Sequence, residues 1–468
     1  MVYLASCQRA GLFGWRRSQA MNKPPYSLFT RVGPVLGYAP MSKFLDPDFP
    51  FSPRRMPFYY GWLILPVAIL GIVASIPGQT AGFSAFTEPL LKLSGLSRLQ
   101  LSCCYFVGTF ASGLLLPRAG KLLDSWGIRP MAVLTCLGLA CTLLIMSRVD
   151  HLVAATLGRC CSPRVAYAFI LTLGILGLRF FGQGMLPIIS NTLIGRWFIT
   201  RRGRAVALMS VCNGVVFSLS PFILYKLVDQ VGWTNAWVGL ALAIGVGATL
   251  VFWLVHRESP EACGIPADGS TSDTPAEVMT GVTAEAAMRT RAFWACLLPP
   301  AAIGMIMTAV TFHIVAYGSE VGVSVEKALT VFLPISAISI PTGFLSSWMS
   351  QRIGMVRLLQ LMSVAQLVGT VSLQHLGSPL GYVLSALGLG VASGLFGPIQ
   401  TIGLPEYFGR LHLGAINGRF YACCVLASAL GPALFAGVQH LSGSFFVALY
   451  ICLSLPLTGL LLTIGLRR

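Results

Sequence analysis

The chain has 468 residues, of which 55% are hydrophobic and only 10% charged, with a formal net charge of +17. Soluble domains carry about 25% charged residues, so this composition excludes a soluble globular protein and specifies a multi-pass membrane protein. The positive charge collects at the ends of apolar runs, not on a polar domain interleaved with aromatics, which argues against a nucleic-acid partner.

Residues 1–58 are basic and contain no spanning run. Arg9, Arg16, Arg17, Lys23, Arg31 and Lys43 all precede the first acid, Asp46. The segment reads as a disordered tail outside the fold. A transit-like segment, or an over-extended start with Met21, Met41 or Met56 as alternatives, are the other readings. From Tyr59 onward twelve apolar runs are each near the ~20 residues that span a bilayer. They cover 60–86, 98–118, 130–148, 167–194, 205–227 and 233–255, then 292–316, 327–349, 357–375, 380–404, 415–438 and 444–466. The stretch 256–291 is polar and carries Glu258, Glu261, Asp268, Asp273, Glu277 and Glu285. It divides the chain into a first six-helix bundle, 59–255, and a second, 292–468.

Most of the 32 basic residues lie on loops that share a side with both termini. Short cytoplasmic loops accumulate Lys and Arg, so both termini are expected in the cytoplasm. The two halves also repeat. GKLLDSWGIRP, 120–130, matches SWMSQRIGMVR, 347–357, and Ser97 and Ser324 sit at matching distances ahead of these loops as expected helix N-caps. Later landmarks pair as Pro221 with Pro432 and Gly232 with Gly443. The join 148–167 is the least defined and holds the extra residues of the first half. The 13 cysteines, including the adjacent Cys103–Cys104, Cys160–Cys161 and Cys423–Cys424, lack disulfide-framework or CxxC spacing and read as small buried hydrophobes. No metal or cofactor is expected.

Arg179 falls midway along the fourth run. A guanidinium at that depth costs several kcal/mol unless it faces a partner or a water-filled cavity. Gln183 lies four residues on, so both can present donors to one ligand. No Asp or Glu lies at comparable depth, which favours an anionic ligand over a structural ion pair. Asn213 and Gln400 are intramembrane amides and candidate cavity residues, although interhelical hydrogen bonding would also explain them. His313, two-thirds along the seventh run, is read either as a titrating site residue or as a satisfied core histidine. Glu406, in EYFGR, is assigned to a gate at the inner end of the tenth run. The prolines Pro77, Pro187, Pro221, Pro334, Pro341, Pro398 and Pro432 interrupt helices at depth, as moving and static bundles both allow.

Parallel six-helix repeats and the loop signature resemble the major facilitator superfamily from Tyr59 to Arg468. The signature is carried by Gly120, Asp124, Gly127 and Arg129, with Ser125 in place of its first basic residue. The second copy keeps Arg352, Gly354 and Arg357 but has Ser347 and Gln351 where Gly and Asp would stand. The resemblance implies twelve transmembrane helices in two pseudo-symmetric bundles around a central site, and a gate latched by Asp124 and Arg129 with Gly120 and Gly127 at the helix approach. The stretches YYGW, GLSRLQLSCCYFVGTFASGLLLPRAGKLLD, RFFGQG, RWFITRRGRA and EYFGRLHLG resemble the monocarboxylate-transporter-like branch, which includes oxalate–formate antiporters. Tyr59–Trp62 would then anchor the first helix at the membrane interface. Three charges of that branch's proton-coupled members are replaced by Thr80, Ser336 and Ile340. The antiporters' basic residue in the eighth helix is absent, and Arg419 stands only at the inner end of the eleventh.

These readings lead to a secondary active transporter of a small organic anion, a monocarboxylate or related carboxylate, driven by a proton or counter-anion. It would be monomeric, in a plasma or organellar membrane. The alternative is a carrier of a neutral or amphipathic molecule with Arg179 structural. No nucleotide-binding P-loop, HExxH or GxSxG is present, so enzymatic activity is not expected.

Overall fold

A computed structural model describes residues 46, 48–155, 162–266, 268 and 279–466. Residues 40–468 form one compact unit, and everything below concerns it. The tail up to residue 45, the pair Cys160–Cys161, Asp273 and Glu277 lie outside the described residues.

Most of the described residues lie in long helices. They are α1 (Gly61–Gly78), α2 (Arg98–Trp126), α3 (Ile128–Ser147), α4 (Pro163–Trp197), α5 (Arg202–Val231) and α6 (Trp233–Val255). The second set is α7 (Arg291–Glu320), α8 (Phe332–Trp348), α9 (Met355–Leu373), α10 (Pro379–Phe408), α11 (Leu413–Ser442) and α12 (Phe446–Thr463). Eleven of these meet the length and apolarity of a membrane span. The remaining predicted span, 327–349, is divided into Val325–Thr330 and the 17-residue α8. The first predicted run, 60–86, is also shorter than expected. It closes in a 3-10 turn at Ile76–Gly78 and restarts as Thr80–Ser84 and Thr87–Ser94.

Local chemistry explains the boundaries. Ser97 accepts from Gln100 N while Gln100 accepts from Ser97 N, a reciprocal capping box that starts α2. Ser324 caps its repeat counterpart by accepting from Lys327 N. The α2–α3 and α8–α9 loops both turn on a glycine at positive φ, Gly127 at 90° and Gly354 at 85°. A side chain is strained there, which accounts for glycine at both repeat positions.

The halves meet along two helix pairs, α2 with α11 and α5 with α8. Within the halves, α1 packs on α4, α3 on α6, α7 on α11 and α12, and α9 on α10 and α12. Along α2, a Cβ on Gly120 would lie 2.4 Å from Gly414 O and 3.0 Å from Gly418 Cα, so only glycine permits that crossing. Gly120→Val is expected to cost roughly 1–3 kcal/mol by overpacking, seen as a lowered thermal midpoint of the purified protein.

One expectation needs correction. Residues 48–58 do not stand outside the fold. Arg129 donates to the carbonyls of Asp46 and Phe49, Arg54 Nε donates to Cys263 O at 2.6 Å, and Arg257 donates to Phe51 O. Tyr59 and Tyr60 are bound to helix ends inside the fold. Their hydroxyls donate to Trp197 O and Val255 O, the carbonyl ends of α4 and α6, and Tyr60 is fully buried. These hydroxyls satisfy helix-end carbonyls that have no partner within their own helix.

Candidate functional site

Helix α4 changes pitch in its middle, with residues Leu178–Met185 in π-helical form. Pro187 has no N–H to offer the carbonyl four residues back, and Leu186 N bonds Phe181 O, five residues back. Helix α10 repeats the device, with a π segment at Ile399–Gly403 just ahead of Pro405. Such bulges turn side chains off the regular helical stripe, and here they carry Arg179, Gln183, Gln400 and Thr401.

Arg179 is 3% exposed. Its Nη1 donates to Gly78 O at 3.2 Å and to Thr80 Oγ1 at 3.3 Å, and its guanidinium lies 5.0 Å from the centre of the Tyr105 ring. Tyr105 donates to the same Thr80 hydroxyl at 2.9 Å. A Cβ on Gly78 would stand 2.1 Å from Leu178 O, so that glycine lets the end of α1 press on the π segment and delivers Thr80 to the guanidinium. Arg179 Nε makes no hydrogen bond, and no carboxylate pairs with this charge among the described residues. Gln183 Oε1, Asn213 Oδ1 and Thr109 Oγ1 are also buried without a partner. Thr109, one helical turn beyond Tyr105 on α2, escaped sequence reading because an isolated threonine in an apolar run carries no signal.

The other predicted site residues are placed elsewhere. His313 Nε2 lies 3.0 Å from Pro432 O, and its ring packs beside Phe435 and Phe445, so it is engaged by protein and not joined to Arg179. Gln400 donates to Asn417 Oδ1 at 3.4 Å, and Asn417 donates to Thr192 Oγ1 at 3.0 Å. Thr401 donates to Asn191 Oδ1 at 3.0 Å, and Asn191 donates to the Tyr421 hydroxyl at 3.3 Å. These amides and hydroxyls form a buried link between α4 of the first half and α10 and α11 of the second. No spacing in the sequence announced it, because its members come from segments some 200 residues apart: Thr401 and Asn191 are separated by 210.

A second cluster closes the end of the molecule where the charged loops gather. Asp124 accepts from Gly414 N at 2.8 Å and Ala415 N at 2.7 Å, the exposed donors at the start of α11. A carboxylate at a helix N-terminus satisfies those donors and complements the helix dipole. Asp124 also takes Arg196 Nη2 at 2.7 Å, and the other arm of Arg196 donates to Glu258. Glu258 in turn accepts from Ile128 N at 2.7 Å, at the start of α3. Arg129 does not join this group. It donates to the carbonyls of His256, Asp46 and Phe49 instead. Glu406 is exposed and makes no hydrogen bond or ion pair among the described residues. Arg410, four residues on, donates to Arg196 O at 2.7 Å and pairs with Glu261 at 2.6 Å.

The polar segment after α6 is a strap across this end. Asp268 accepts from Ile199 N and Arg201 N in the α4–α5 loop. Val282 N donates to Phe408 O at 2.9 Å, and Arg410 N to Thr280 O at 2.8 Å. Glu285 bridges Lys121 of α2 and Arg419 of α11, one basic residue from each half. Hydrogen bonds from Arg419 and Lys121 hold its carboxyl down to about 2. That contribution is complete above the ordinary carboxylate range and lost only as pH falls toward 2, so the bridge stays ionised from pH 5 to 8. Glu258, Glu261, Asp268 and Glu285 thus each hold a partner of their own, where composition alone showed only a polar linker.

His256 sits in the same layer, 2% exposed and stacked 4.6 Å from Phe252. Burial, then Arg129 and Arg257, push its imidazole down to about 3. The unfolded chain binds a proton below its ordinary value of about 6.5 that the folded chain refuses, so stability falls as pH drops toward 3. The expected slope is on the order of 1 kcal/mol per pH unit. Thermal midpoints measured from pH 7 to pH 4 should fall less steeply for His256→Leu than for wild type.

The Major Facilitator Superfamily profile matches residues 67–432. No curated protein matches the chain. Among solved structures, a bacterial homologue of the iron transporter ferroportin, in its outward-facing state with soaked iron, superposes with a TM-score of 0.61 at 15% identity, covering 86% of this chain and 98% of that one. The E. coli fucose:proton symporter gives 0.57 at 13% identity, with 88% and 100% covered. The human organic anion transporter TETRAN gives 0.56 at 15% identity, with 86% and 98% covered. At these identities the structures speak for the fold alone. The profile match, however, spans well over half of the chain and coincides with the paired bundles described above: the chain belongs to the Major Facilitator Superfamily and is a membrane transporter, not an enzyme.

Proposed function

We propose that this transporter carries a small organic anion, a monocarboxylate or related carboxylate, by alternating access. The observation that carries the reading is Arg179: a guanidinium buried at mid-helix, with its Nε unbonded and no carboxylate pairing with it among the described residues. A charge in that position is strongly unfavourable unless an anion completes it. An incoming carboxylate does so with charge-assisted hydrogen bonds that a neutral ligand cannot supply. Gln183, Thr109 and Asn213 offer further unpaired polar atoms for the rest of the substrate. Gln400 belongs to the inter-half link that must part when the site changes sides.

The halves 59–255 and 292–468 would rock about this site, with 256–291 as the strap. The distribution of basic residues supports a cytoplasmic side for both termini. The Asp124 cluster is then the cytoplasmic gate, and its closed state leaves the site facing outward. We place the protein in the plasma membrane as a monomer, coupled to a proton or counter-anion.

The test is uptake of labelled pyruvate, lactate, formate and oxalate into proteoliposomes, with and without an inside-alkaline gradient. Saturable uptake of one of these acids is expected, and its dependence on the gradient identifies the coupling. Absence of uptake of every acid by folded protein would overturn the anion reading in favour of a neutral substrate.

A further inference from the structure

The first half seats a carboxylate at the start of α3. Gly127 turns the chain, no side chain of α3's own N-cap serves its donors, and Glu258 Oε2 accepts from Ile128 N. The repeat position in the second half is the start of α9, where Gly354 turns the chain at positive φ ahead of Met355 and again no N-cap side chain serves the helix. Here the structure holds a cavity of about 480 Å³, lined by Arg352, Gly354, Arg357, Gln360 and Leu466 among others. Neither guanidinium has a hydrogen bond or ion pair among the described residues. No acidic residue lines the cavity.

We infer that this cavity binds a phosphate group, as presented by an anionic phospholipid headgroup or by free phosphate. Two guanidiniums offer forked donors that match phosphate oxygens. The start of a 19-residue helix adds backbone donors and the positive end of its dipole. Gln360 is anchored by donating to Thr463 Oγ1 at 3.2 Å, which ties α9 to α12 and fixes the cavity wall. A lipid also finds a place for its chains. Leu361, Val364 and Val368 run down the exposed side of α9 from the cavity mouth, and Leu461 and Ile464 are exposed at the adjoining end of α12. Basic pockets between membrane helices are where anionic headgroups bind.

The full-length protein, purified in detergent, tests this by native mass spectrometry with phosphatidylglycerol or phosphatidylcholine added. A parallel thermal-shift titration uses inorganic phosphate against chloride at equal ionic strength. Wild type should retain phosphatidylglycerol over phosphatidylcholine, and Arg352→Gln/Arg357→Gln should lose about tenfold of that preference. Arg148→Gln/Arg164→Gln, which removes equal charge elsewhere, should keep it. The single variants Arg352→Gln and Arg357→Gln give intermediate losses and serve if the double variant does not fold. A phosphate-specific thermal shift lost in the variants, without lipid preference, would identify free phosphate as the ligand. Lipid preference and phosphate shift both unchanged in the variants, or equal for all anions, would overturn the assignment.

Discussion

Arg179→Gln is expected to lower saturable anion uptake by about two orders of magnitude while leaving the thermal midpoint unchanged or raised. The two readouts separate the readings of this residue. If Arg179 were a structural brace, its two donor bonds to Gly78 O and Thr80 Oγ1 would be its purpose, and the variant would lose stability. If it is the anion's receptor, the folded protein bears an uncompensated buried charge that glutamine relieves, so stability holds and transport disappears. Glutamine retains hydrogen-bond donors, so the loss of uptake would report the charge and the fork. Arg179→Lys keeps the charge but not the planar pair of donors, and intermediate uptake with a raised KM is expected. Uptake by the glutamine variant at the wild-type rate would remove Arg179 from the site.

The second large effect belongs to Arg196. It is 1% exposed and lies between Asp124 and Glu258, two carboxylates that share its guanidinium. Arg196→Met leaves both acids partly buried and mutually repulsive, which is expected to cost roughly 3–5 kcal/mol of stability. Replacing the whole group, with Arg196→Met, Asp124→Asn and Glu258→Gln together, is expected to restore most of that loss, because no orphaned charge remains. Asp124→Asn alone makes a different change. It weakens the bonds to Gly414 N and Ala415 N that pin the start of α11 to α2. A weakening of about 1.4 kcal/mol raises the population with this end open about tenfold. Spin labels placed across the α2–α11 contact at this end should then show a longer-distance component that wild type lacks. Distances identical to wild type would mean that the carboxylate does not hold the gate.

Apolar runs, cap residues and turn glycines were legible along the chain because each depends on neighbours within a few residues. Hydropathy summed over a span, the Ser97 and Ser324 caps, and the paired turns at Gly127 and Gly354 needed nothing from elsewhere. The isolation of Arg179 was legible for a similar reason: a search for acids at equal depth can be made on the sequence itself. Partners were not legible. Asp124 bonds α11 across 290 residues, and Glu258 reaches Arg196 across 62. Acids that composition assigned to a linker, Glu258, Glu261 and Glu285, pair with Arg196, Arg410 and Arg419 of distant helices and loops. The amide Gln400 donates to Asn417, and Asn417 to the Thr192 hydroxyl, across segments that no spacing joins. The sequence by itself determined a two-bundle membrane transporter with a cation, Arg179, midway along an apolar run, because span hydropathy and charge placement are local and additive. Only the tertiary structure decided which charges meet, because a buried charge or amide takes the nearest complementary group in space, and the packing of separate helices chooses that group.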